Sequence, residues 1–393
     1  MSSDSIVIVA ARRTPIGGFQ GVLSPVTASD LGAVAIKAAV EDSGVDPETI
    51  SDLLMGCVLP AGVGQAPARL AGMAAGLPLS VGASTLNKAC GSGMKTTMLA
   101  HDLIKAGSAS VAVSGGLESM TNAPYLLPKA RDGYRMGHQE VLDHMFYDGL
   151  QNPHDGNMMG HFAENTAEKY GFSREAQDEF AIASVTRAQA AAESGAFDAE
   201  IAPVTVKTRK GETVVTQDEG PQTARPEKIP TLRAAFRKDG TVTAASSSSI
   251  SDGGAALVLM SASEADAQGI TPMARIVGHS GFAQAPEWFT TSPVFAIKAL
   301  QEKLGWTADD VDLYEINEAF AVVTMAAMHD CGIDHAKVNV NGGACALGHP
   351  IGASGARIIV TLLHALRARN LKRGLASLCI GGGEATALAV ELI

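Results

Sequence analysis

Residues 90–94 read CGSGM, and residues 352–356 read GASGA. Each pentapeptide is followed by apolar residues at the spacing of a helix face, and then by an apolar strand that ends in glycine. The two strands are expected within residues 111–116 and 376–382. One βα plan that occurs twice indicates an α/β protein with two duplicated halves.

The two copies differ in length between helix start and strand end. The spacing from Ser92 to Gly115 is four residues shorter than the spacing from Ser354 to Gly381. Four residues correspond to about one helical turn. We therefore expect the second copy to carry one extra helical turn or a longer loop.

Cys90 directly precedes the first of these helices. Amides and the dipole at a helix N-terminus favour negative charge, so this position predicts a thiol with a lowered pKa and nucleophilic character. Gly91 and Gly93 are interpreted as positions where the backbone approaches a substrate closely. The alternative is a small buried hydrophobe, which is the usual role of a free cysteine.

His349 lies among glycines, in the sequence GHPIG at residues 348–352. Such surroundings leave an imidazole accessible and allow tight turns, which favours a functional histidine over a structural one. Cys379 ends a predicted apolar strand at residues 375–380, and three glycines follow it. Their amides can donate to a substrate oxygen, although a buried strand cysteine is the simpler alternative.

Ligands in α/β proteins collect where strands end and helices begin. If the two halves pack together, corresponding loops of each half converge on one site. This arrangement would bring together Cys90, His349 and Cys379. Two thiols and one imidazole are suited to acyl transfer through a thioester.

Composition limits the other possibilities. The chain has 393 residues, is 46% hydrophobic and carries a net charge of -11, which disfavours nucleic acid as a partner. No apolar run of membrane-spanning length occurs, and residues 1–5 carry neither a basic signal region nor an Arg-rich transit pattern. The five cysteines show no zinc-type spacing, and their odd number argues against a disulfide framework. We expect a soluble cytoplasmic protein without a membrane partner or metal.

One segment reverses the overall charge. Residues 201–240 contain eight basic and five acidic residues, a local charge of +3. The basic residues are Lys207, Arg209, Lys210, Arg225, Lys228, Arg233, Arg237 and Lys238. The segment is either a solvated loop or a surface that attracts the phosphates of a nucleotide-bearing substrate.

Five ordered motifs along the chain resemble those of the thiolase family. They are NKACGSGM at residues 87–94, NEAFA at 317–321, NVNGG at 339–343, GHPIGASGAR at 348–357 and CIGGG at 379–383. The resemblance covers essentially the whole chain. It implies a thiolase fold with five α-β-α-β-α layers, two similar halves and an inserted loop domain, assembled as a homodimer or homotetramer.

The resemblance also implies domain boundaries. The N-terminal half is expected at residues 1–119 with 250–272, the CoA-binding loop domain at 120–249, and the C-terminal half at 273–393. The implied activity is the reversible Claisen condensation of two acetyl-CoA molecules to acetoacetyl-CoA and CoA, or the cleavage of 3-oxoacyl-CoA by CoA. Coenzyme A is substrate and product, and no other cofactor is implied.

Site roles carried over from the family begin with Cys90, which would bear the acyl group. His349 would take the Cys90 proton, and Cys379 would exchange the proton on the substrate α-carbon. One developing oxyanion would be stabilised by the His349 ring with a water held by Asn317. The other would be stabilised by the amides of Cys90 and Gly381, where one such donor typically contributes about 3 kcal/mol.

A further set is expected to contact CoA or the acyl group. These residues are Ser248, Phe236, Leu150, Met159, Ala319, Phe320 and Phe289. Arg225 and Lys228 are assigned to the nucleotide end from their charge. The chain departs from the better-known biosynthetic pattern at ASSS (245–248), at Met158-Met159, where a His-Met pair is usual, and at Trp288-Phe289. Phe289 would either close the pocket around acetyl or, with a shifted loop, open a slot for branched acyl groups.

Other functions remain to be compared. A degradative 3-ketoacyl-CoA thiolase would share all these residues with a broader chain-length range. A non-catalytic thiolase-like lipid carrier is expected to lack Cys379 or the NEAF motif, and a ketoacyl synthase to have two histidines, or His and Asn, in place of the His349/Cys379 pair. A Cys/His hydrolase would leave the second cysteine unexplained.

Overall fold

A computed structural model describes residues 4–209 and 211–393. Residues 1–3 of the N-terminal segment and Lys210 of the basic segment lie outside the described residues. The strands are β1 (Ile6–Arg13), β2 (Gly17–Gly18), β3 (Ile50–Gly56), β4 (Gly82–Leu86), β5 (Val111–Ser119), β6 (Tyr125–Leu126), β7 (Leu142–Asp143), β8 (Val204–Thr208), β9 (Gly211–Val215), β10 (Ser251–Ser261), β11 (Ala274–Ala283), β12 (Leu313–Ile316), β13 (Arg373–Ile380) and β14 (Glu384–Leu392).

The α-helices are α1 (Ala28–Ser43), α2 (Pro67–Ala74), α3 (Ser92–Ala106), α4 (Met159–Tyr170), α5 (Arg174–Glu193), α6 (Glu219–Thr223), α7 (Ala262–Gln268), α8 (Ser292–Leu304), α9 (Ala321–Cys331), α10 (Ala344–Leu347) and α11 (Ser354–Ala368). Short 3-10 helices cover Pro47–Thr49, Ala130–Asp132, Pro226–Thr231, Pro286–Thr291 and His335–Lys337, and one π-helix covers Met145–Leu150. No helix in the described part of the chain is long and apolar enough to span a membrane.

Local sequence signals explain where several helices begin and end. The Thr27 side chain accepts a hydrogen bond from the Asp30 amide at the start of α1, and Gly44 ends that helix with a φ of 68°. Ser173 caps α5 in the same way. Gly107 ends α3 with a φ of 76°. Each of these helix ends is thus explained by a residue that favours a cap.

The main sheet has the strand order β12-β13-β14-β11-β1-β10-β5-β3-β4, with β2 pairing to β10. Its two sides follow one plan from the middle outward. On one side β1, β10 and β5 pair antiparallel and then β3 and β4 continue in parallel, and on the other side β11, β14 and β13 pair antiparallel and then β12 continues in parallel. The halves meet where β1 pairs with β11 over only two residue positions. The two sets of strands can therefore turn away from each other and enclose a helical layer.

Successive side chains of a strand point to opposite faces of the sheet and pack against different helices, and this produces the layers. In β1, Ile6 and Ile8 pack in a core with α3 and α11, whereas Val7 and Val9 pack on the opposite face with α1 and α2. A third core places α8 and α9 against the outer face of β12, β13 and β14. The order is outer helices, sheet, α3 with α11, sheet, outer helices. This confirms the five-layered α-β-α-β-α prediction.

The duplication is closer than the sequence comparison indicated. Helices α3 and α11 each have 15 residues, and in each half the following strand begins five residues after the helix ends. The predicted extra turn or longer loop is wrong. The error came from matching Gly115, which lies inside β5, to Gly381, which lies beyond the end of β13.

The segment between β5 and β10 contains α4, α5, α6 and the two small hairpins β6–β7 and β8–β9. It is anchored to the first half through Arg13 of β1, whose side chain is fully buried. The Arg13 guanidinium donates to Glu200 Oε1 at 2.6 Å and to Asp218 Oδ1 at 2.7 Å. Removing one partner of such a buried ion pair typically costs about 3–5 kcal/mol. The domain boundaries at 119/120, 249/250 and 272/273 stay predictions.

Candidate active site

Cys90 lies in a tight loop between β4 and α3. Ala89 has a φ of 43°, a left-handed conformation that is uncommon for a residue with a side chain. Asn87 Oδ1 accepts a hydrogen bond from the Ala89 amide at 2.9 Å. Ser92 Oγ accepts from the Lys88 amide at 2.8 Å and donates to the Ala89 carbonyl at 2.7 Å. The loop that presents Cys90 is thus held from both sides.

The two glycines after Cys90 serve a different purpose from the one inferred from the sequence. A Cβ at Gly91 would lie 2.3 Å from the Ile380 side chain, and a Cβ at Gly93 would lie 2.8 Å from the Ala356 amide nitrogen. Both contacts are with protein atoms of the second half. The glycines are required for packing of the two halves, rather than for close approach of a substrate.

The Cys90 thiol is half-buried and not a standing thiolate. Burial raises its pKa above the ordinary value of 9.0, and hydrogen bonds from the amides of Gly381 and Cys90 itself offset only part of that increase. The prediction of a lowered pKa is therefore wrong for the free protein. Loss of hydration outweighs the favourable amides at the helix start. Ionisation of Cys90 requires a nearby base.

His349 supplies a neutral imidazole. Its Nδ1 lies 2.5 Å from Ser354 Oγ, and Ser354 Oγ donates to the Pro350 carbonyl at 2.9 Å. Because the Ser354 proton is directed at Pro350, its oxygen accepts from Nδ1–H, which leaves the lone pair on Nε2. Nε2 is buried and has no hydrogen-bond partner among the described residues. Burial and the nearby positive charge of Arg357 lower the pKa of His349 to about 3.

Cys379 is fully buried at the end of β13. Burial raises its pKa well above 9.0, and a negative charge on Cys90 would raise it further. Asn317 is also buried, and its Nδ2 has no partner within residues 4–209 and 211–393. Its Oδ1 accepts a long hydrogen bond of 3.5 Å from Arg357. An unpaired buried amide group of this kind is available to a water or substrate oxygen.

A cavity of about 400 Å³ connects most of the predicted residues. Cys90, His349 and Gly381 lie in its wall. The wall also contains all seven residues expected to contact CoA or the acyl group: Ser248, Phe236, Leu150, Met159, Ala319, Phe320 and Phe289. Cys379 and Asn317 do not line the cavity and are buried in the protein.

Two loops form one side of this cavity. The Ser248 amide donates to the Ala319 carbonyl at 3.0 Å, and the Ala321 amide donates to the Ser246 carbonyl at 2.8 Å. The rings of Phe236 and Phe320 meet edge to face with centroids 5.9 Å apart. These contacts join the serine loop of the inserted segment to the loop before α9.

Phe289 closes another part of the wall. It is buried, and its ring meets Phe162 edge to face at 6.3 Å. It belongs to the same apolar cluster as Cys379 and Phe320. The apolar wall of the cavity and the buried Cys379 are consequently parts of one cluster.

The residues assigned to the CoA nucleotide from charge alone lie elsewhere. Arg225 and Lys228 are exposed and are not part of the cavity wall. Lys207 forms an ion pair with Glu212 at 3.1 Å, and Arg237 donates to the His161 carbonyl at 3.2 Å. The structure thus brings together the thiols, the imidazole and the apolar wall, but does not bring Arg225 and Lys228 to them.

Sequence reasoning missed a buried carboxyl group beside the site. Glu118 Oε2 accepts from the amides of Val58 and Gly352, each at 2.9 Å, and Oε1 accepts from the Leu59 amide at 3.2 Å. Burial raises the pKa of Glu118 to about 7 despite these hydrogen bonds. The only signal in the sequence is an acidic residue at the end of a glycine-containing apolar strand.

Two other residues were missed because their roles depend on distant contacts. Ser354 was assigned only to the repeated GASGA motif, although its hydroxyl orients His349. Arg357 is almost fully buried, with Glu315 at 3.4 Å, and its charge acts on His349. The sequence did offer one indication of Arg357, because an arginine within an apolar helix pattern is expected to be buried and to need a buried partner.

Comparisons with known proteins agree with this architecture. The family model "Thiolase, N-terminal domain" matches residues 6–263, and "Thiolase, C-terminal domain" matches residues 270–392. The chain is 51% identical to an acetyl-CoA acetyltransferase of Cupriavidus necator over 388 residues, covering 98% of this chain and 99% of that protein. It is also 51% identical to an acetyl-CoA acetyltransferase of Escherichia coli, with 98% of each chain covered.

Solved structures show the same similarity. The acetyl-CoA acetyltransferase of Bacillus anthracis superposes with a TM-score of 0.97 at 43% identity, covering 99% of each chain. The Acat5 thiolase of Ascaris suum, solved in complex with coenzyme A, superposes with a TM-score of 0.93 at 39% identity. That comparison covers 99% of this chain and 100% of the other.

Proposed function

The chain belongs to the thiolase family, and on that premise we propose that it is an acetyl-CoA C-acetyltransferase. It joins two acetyl-CoA molecules to acetoacetyl-CoA and CoA, and it catalyses the reverse cleavage. The observation that carries the proposal is the position of Cys90, His349 and Gly381 in one cavity wall, with Cys379 in the apolar cluster that includes Phe289 and Phe320 of the same wall. These groups are the ones that two successive thioester reactions require.

Acylation begins at Cys90. His349 Nε2 takes the Cys90 proton, and the sulfur attacks the thioester carbon of the first acetyl-CoA. The amides of Cys90 and Gly381, which already donate to the Cys90 sulfur, stabilise the developing oxyanion. The C–S bond to CoA breaks, and the CoA thiolate takes the proton of Cys379. The products are acetyl-Cys90, CoA, a Cys379 thiolate and a protonated His349.

Condensation uses the two charges left by acylation. The Cys379 thiolate removes a proton from the α-carbon of the second acetyl-CoA, and protonated His349 with the Asn317 amide group stabilises the enolate oxygen. The enolate carbon attacks acetyl-Cys90 and forms the new C–C bond. The Cys90–acyl bond then breaks, and His349 returns its proton to Cys90. Burial opposes each charge alone, so the thiolate and imidazolium form together as a pair.

A direct assay tests the activity. Mixing the protein with acetoacetyl-CoA and CoA is expected to remove the enolate absorbance of acetoacetyl-CoA, and Cys90→Ser is expected to abolish the loss. Peptide mass mapping after incubation with acetoacetyl-CoA is expected to find the acetyl group on Cys90. A Cys90→Ser protein that still turns over would contradict the assignment.

The two thiols are separated by a second variant. Cys379→Ala is expected to acquire the acetyl group at Cys90 but to lose condensation and exchange of α-deuterium, because its base is missing. Cys331→Ala is the matched control, since Cys331 is a partly buried thiol on α9 outside the cavity wall. Near wild-type condensation by Cys379→Ala would place the base elsewhere.

Acyl-chain preference follows from the aromatic wall. We propose that Phe289 restricts the pocket to short acyl groups, which favours the acetyl-transferring reaction over a broad degradative range. Phe289→Ala is expected to raise kcat/KM for 3-oxohexanoyl-CoA relative to acetoacetyl-CoA. An unchanged ratio would mean that other residues set the chain length.

We propose that the +3 segment at residues 201–240, including Arg225 and Lys228, contacts the nucleotide end of CoA. Their exposure is compatible with contact to phosphates outside the cavity. Because individual exposed charge pairs contribute little, the two residues are neutralised together. The double variant is expected to raise KM for acetyl-CoA much more than for acetyl-pantetheine. Equal effects would exclude a nucleotide contact.

We also propose a homodimer, or a dimer of dimers, in the reducing environment of the cytoplasm. Strand β4 is at the end of the sheet and pairs only with β3 within the described residues. Its residues are largely exposed, as are Leu79 and Met73 nearby. An exposed edge with apolar neighbours is a surface that a second copy can cover. Catalysis by free thiols fits a compartment that keeps cysteine reduced.

A further inference from the structure

A group of three side chains lies outside the catalytic cavity, at the contact between α3 and β11. It consists of His101 and Asp102 from α3 and His279 from β11, and we call it the His–Asp–His cluster. His101 Nδ1 lies 2.9 Å from Asp102 Oδ1, and His279 Nε2 lies 3.0 Å from the same oxygen. The two imidazole centroids are 5.2 Å apart with nearly perpendicular planes.

The three groups have the chemistry of a cation site. Each offers one ligand atom, and these atoms lie within 4.8 Å of one another. Zn²⁺ binds imidazole nitrogen and carboxylate oxygen at about 2.0–2.2 Å, which in a tetrahedral site places neighbouring ligand atoms roughly 3.4 Å apart. The two contacts to Asp102 Oδ1 therefore need to lengthen by only a few tenths of an ångström, and the two imidazole nitrogens, which lie within 4.8 Å of each other, need to adopt the same separation.

Partial burial holds the cluster in place and leaves a path from solvent. The side chains of His101 and His279 are 17% and 16% exposed, whereas Asp102 is 51% exposed. A groove of about 490 Å³ includes His279, Lys95, Met98, Ser280 and Phe282 in its wall.

Charges around the groove are mixed. Lys95 contributes a positive charge, and Lys303 Nζ donates to the His279 carbonyl at 3.3 Å. Lys88 is neutralised by its ion pair with Glu384. Asp102 Oδ1 contacts a nitrogen of each ring, and its negative charge offsets the repulsion that a cation experiences from the lysines.

We propose that the His–Asp–His cluster is a binding site for a borderline divalent cation, with Zn²⁺ as the best match, and that water completes its coordination. Two imidazoles and one carboxylate are ligands that Zn²⁺ and its neighbours in the first transition row accept. The site joins α3 of the first half to β11 of the second half. It is distinct from the catalytic site, because His101 is nine residues beyond the start of α3, about 14 Å along the helix.

Cation binding is expected to affect the stability of the fold rather than catalysis. The strands of the two halves meet over only two residue pairs between β1 and β11. A cation bound to ligands from both halves adds a link beside that short seam. Because a ligand that binds only the folded state raises its stability, the bound cation is expected to increase the Tm.

The chain provides a matched control for the cluster. His329 and Asp330 are also consecutive residues on a helix, with His329 Nδ1 2.8 Å from Asp330 Oδ1. In the part of the chain that the structure describes, this pair is not joined by a third ligand in a cation-binding group. It has the same pairwise contact without the second imidazole.

The test is a Co²⁺ titration of the full-length protein, followed by visible absorption, together with thermal unfolding in the presence and absence of Zn²⁺. Wild type and His329→Gln are expected to show the absorption bands of low-coordinate Co²⁺ bound by nitrogen and oxygen. His279→Gln and Asp102→Asn are expected to bind at least ~100-fold more weakly, since even loss of an outer-shell partner typically costs 10–100-fold. Zn²⁺ should raise the Tm of wild type but not of these two variants.

Retained thiolysis by His279→Gln and Asp102→Asn will show that both variants are folded. Equal Co²⁺ binding by wild type and both variants would overturn the proposal. So would an intense near-ultraviolet sulfur-to-cobalt band, which would place the metal on cysteines. Absence of binding to wild type would identify the cluster as a hydrogen-bonded triad only.

Discussion

The chemistry of Cys90 depends on its neighbours more than on its own ionisation. A position at a helix start predicted a low thiol pKa, but burial raises that pKa above 9.0. His349 is correspondingly held neutral, with its pKa lowered to about 3. With a neutral thiol and a neutral base in one cavity wall, no charged pair is buried there. In the proposed mechanism, proton transfer is coupled to arrival of the acyl group, whose oxyanion the amides of Cys90 and Gly381 would stabilise.

This arrangement predicts an unusual pH dependence for alkylation of Cys90. With a thiol pKa above 9.0, the thiolate fraction is small at pH 7 and increases about tenfold for each pH unit until the pKa is reached. His349, with a pKa of about 3, stays neutral and causes no loss between pH 5 and 7. The rate of inactivation by iodoacetamide is therefore expected to rise continuously to beyond pH 9. A plateau below pH 8 would show that Cys90 is a standing thiolate.

Ser354 is predicted to position His349. Its hydroxyl accepts from Nδ1–H and donates to the Pro350 carbonyl, so Ser354→Ala leaves the imidazole free to rotate and to change tautomer. We expect kcat to fall about 10- to 100-fold, part of the roughly 10²–10⁴-fold contribution of general acid–base catalysis, while KM changes little. Ser354→Thr keeps a hydroxyl and should recover most of the activity. A loss that both variants share, accompanied by a lower Tm, would indicate a structural role instead.

The two central helices, α3 and α11, begin in the same way. Each begins with a serine whose hydroxyl fixes the loop before it: Ser92 holds the Cys90 loop, and Ser354 holds His349. In the proposed mechanism, the duplicated βα unit thus supplies the nucleophile in one copy and the base in the other. Convergence of the two catalytic groups follows from packing α3 against α11 in the same layer.

Close packing of these helices depends on glycine. A Cβ at Gly355 would lie 2.3 Å from the Met94 amide nitrogen, a backbone atom that cannot move aside. Gly355→Ala is therefore expected to destabilise the protein by about 1–3 kcal/mol, although alanine has the better helix propensity. Gly281→Ala is the matched control, because its Cβ would meet only the Ala385 carbonyl at 3.7 Å. Chemical denaturation measures both, and equal stabilities would refute this packing argument.

The sequence allowed much of the fold to be predicted, because its signals are local. Thr27 and Gly44 mark the ends of α1, and the repeated GSG and ASG motifs mark the starts of α3 and α11. Spacing between distant elements was less reliable, as the mistaken match of Gly115 with Gly381 shows. Glycines at strand ends do not distinguish a residue inside a strand from one beyond it.

Residues that act through three-dimensional contacts could not be predicted in the same way. Glu118 receives amides from residues about 60 and 230 positions away, and the His–Asp–His cluster joins residues 177 positions apart. The pKa of Cys90 depends on burial, which is a property of the folded chain. Motif resemblance identified the groups that are proposed to react, whereas the groups that orient and shield them required the structure.

For the whole molecule, the exposed edge of the sheet has consequences. Strand β4 is the last strand on the side of the first half, and it runs directly into the loop that carries Cys90. Covering this edge with a second copy would restrict movement of the loop. The proposed assembly would thereby be connected to catalysis through one strand.

The last prediction concerns this edge. Wild type is expected to sediment at twice or four times the chain mass of 40.4 kDa. Ser84 is exposed on β4, and in a two-fold arrangement Ser84→Lys places like charges from both copies on one edge, which opposes pairing. We expect analytical ultracentrifugation to show a shift toward monomer and thiolysis to decrease. Thr205→Lys adds the same charge to an exposed position of the small strand β8 and should leave the mass unchanged. If Ser84→Lys remains fully assembled with wild-type activity, the copies associate through another surface.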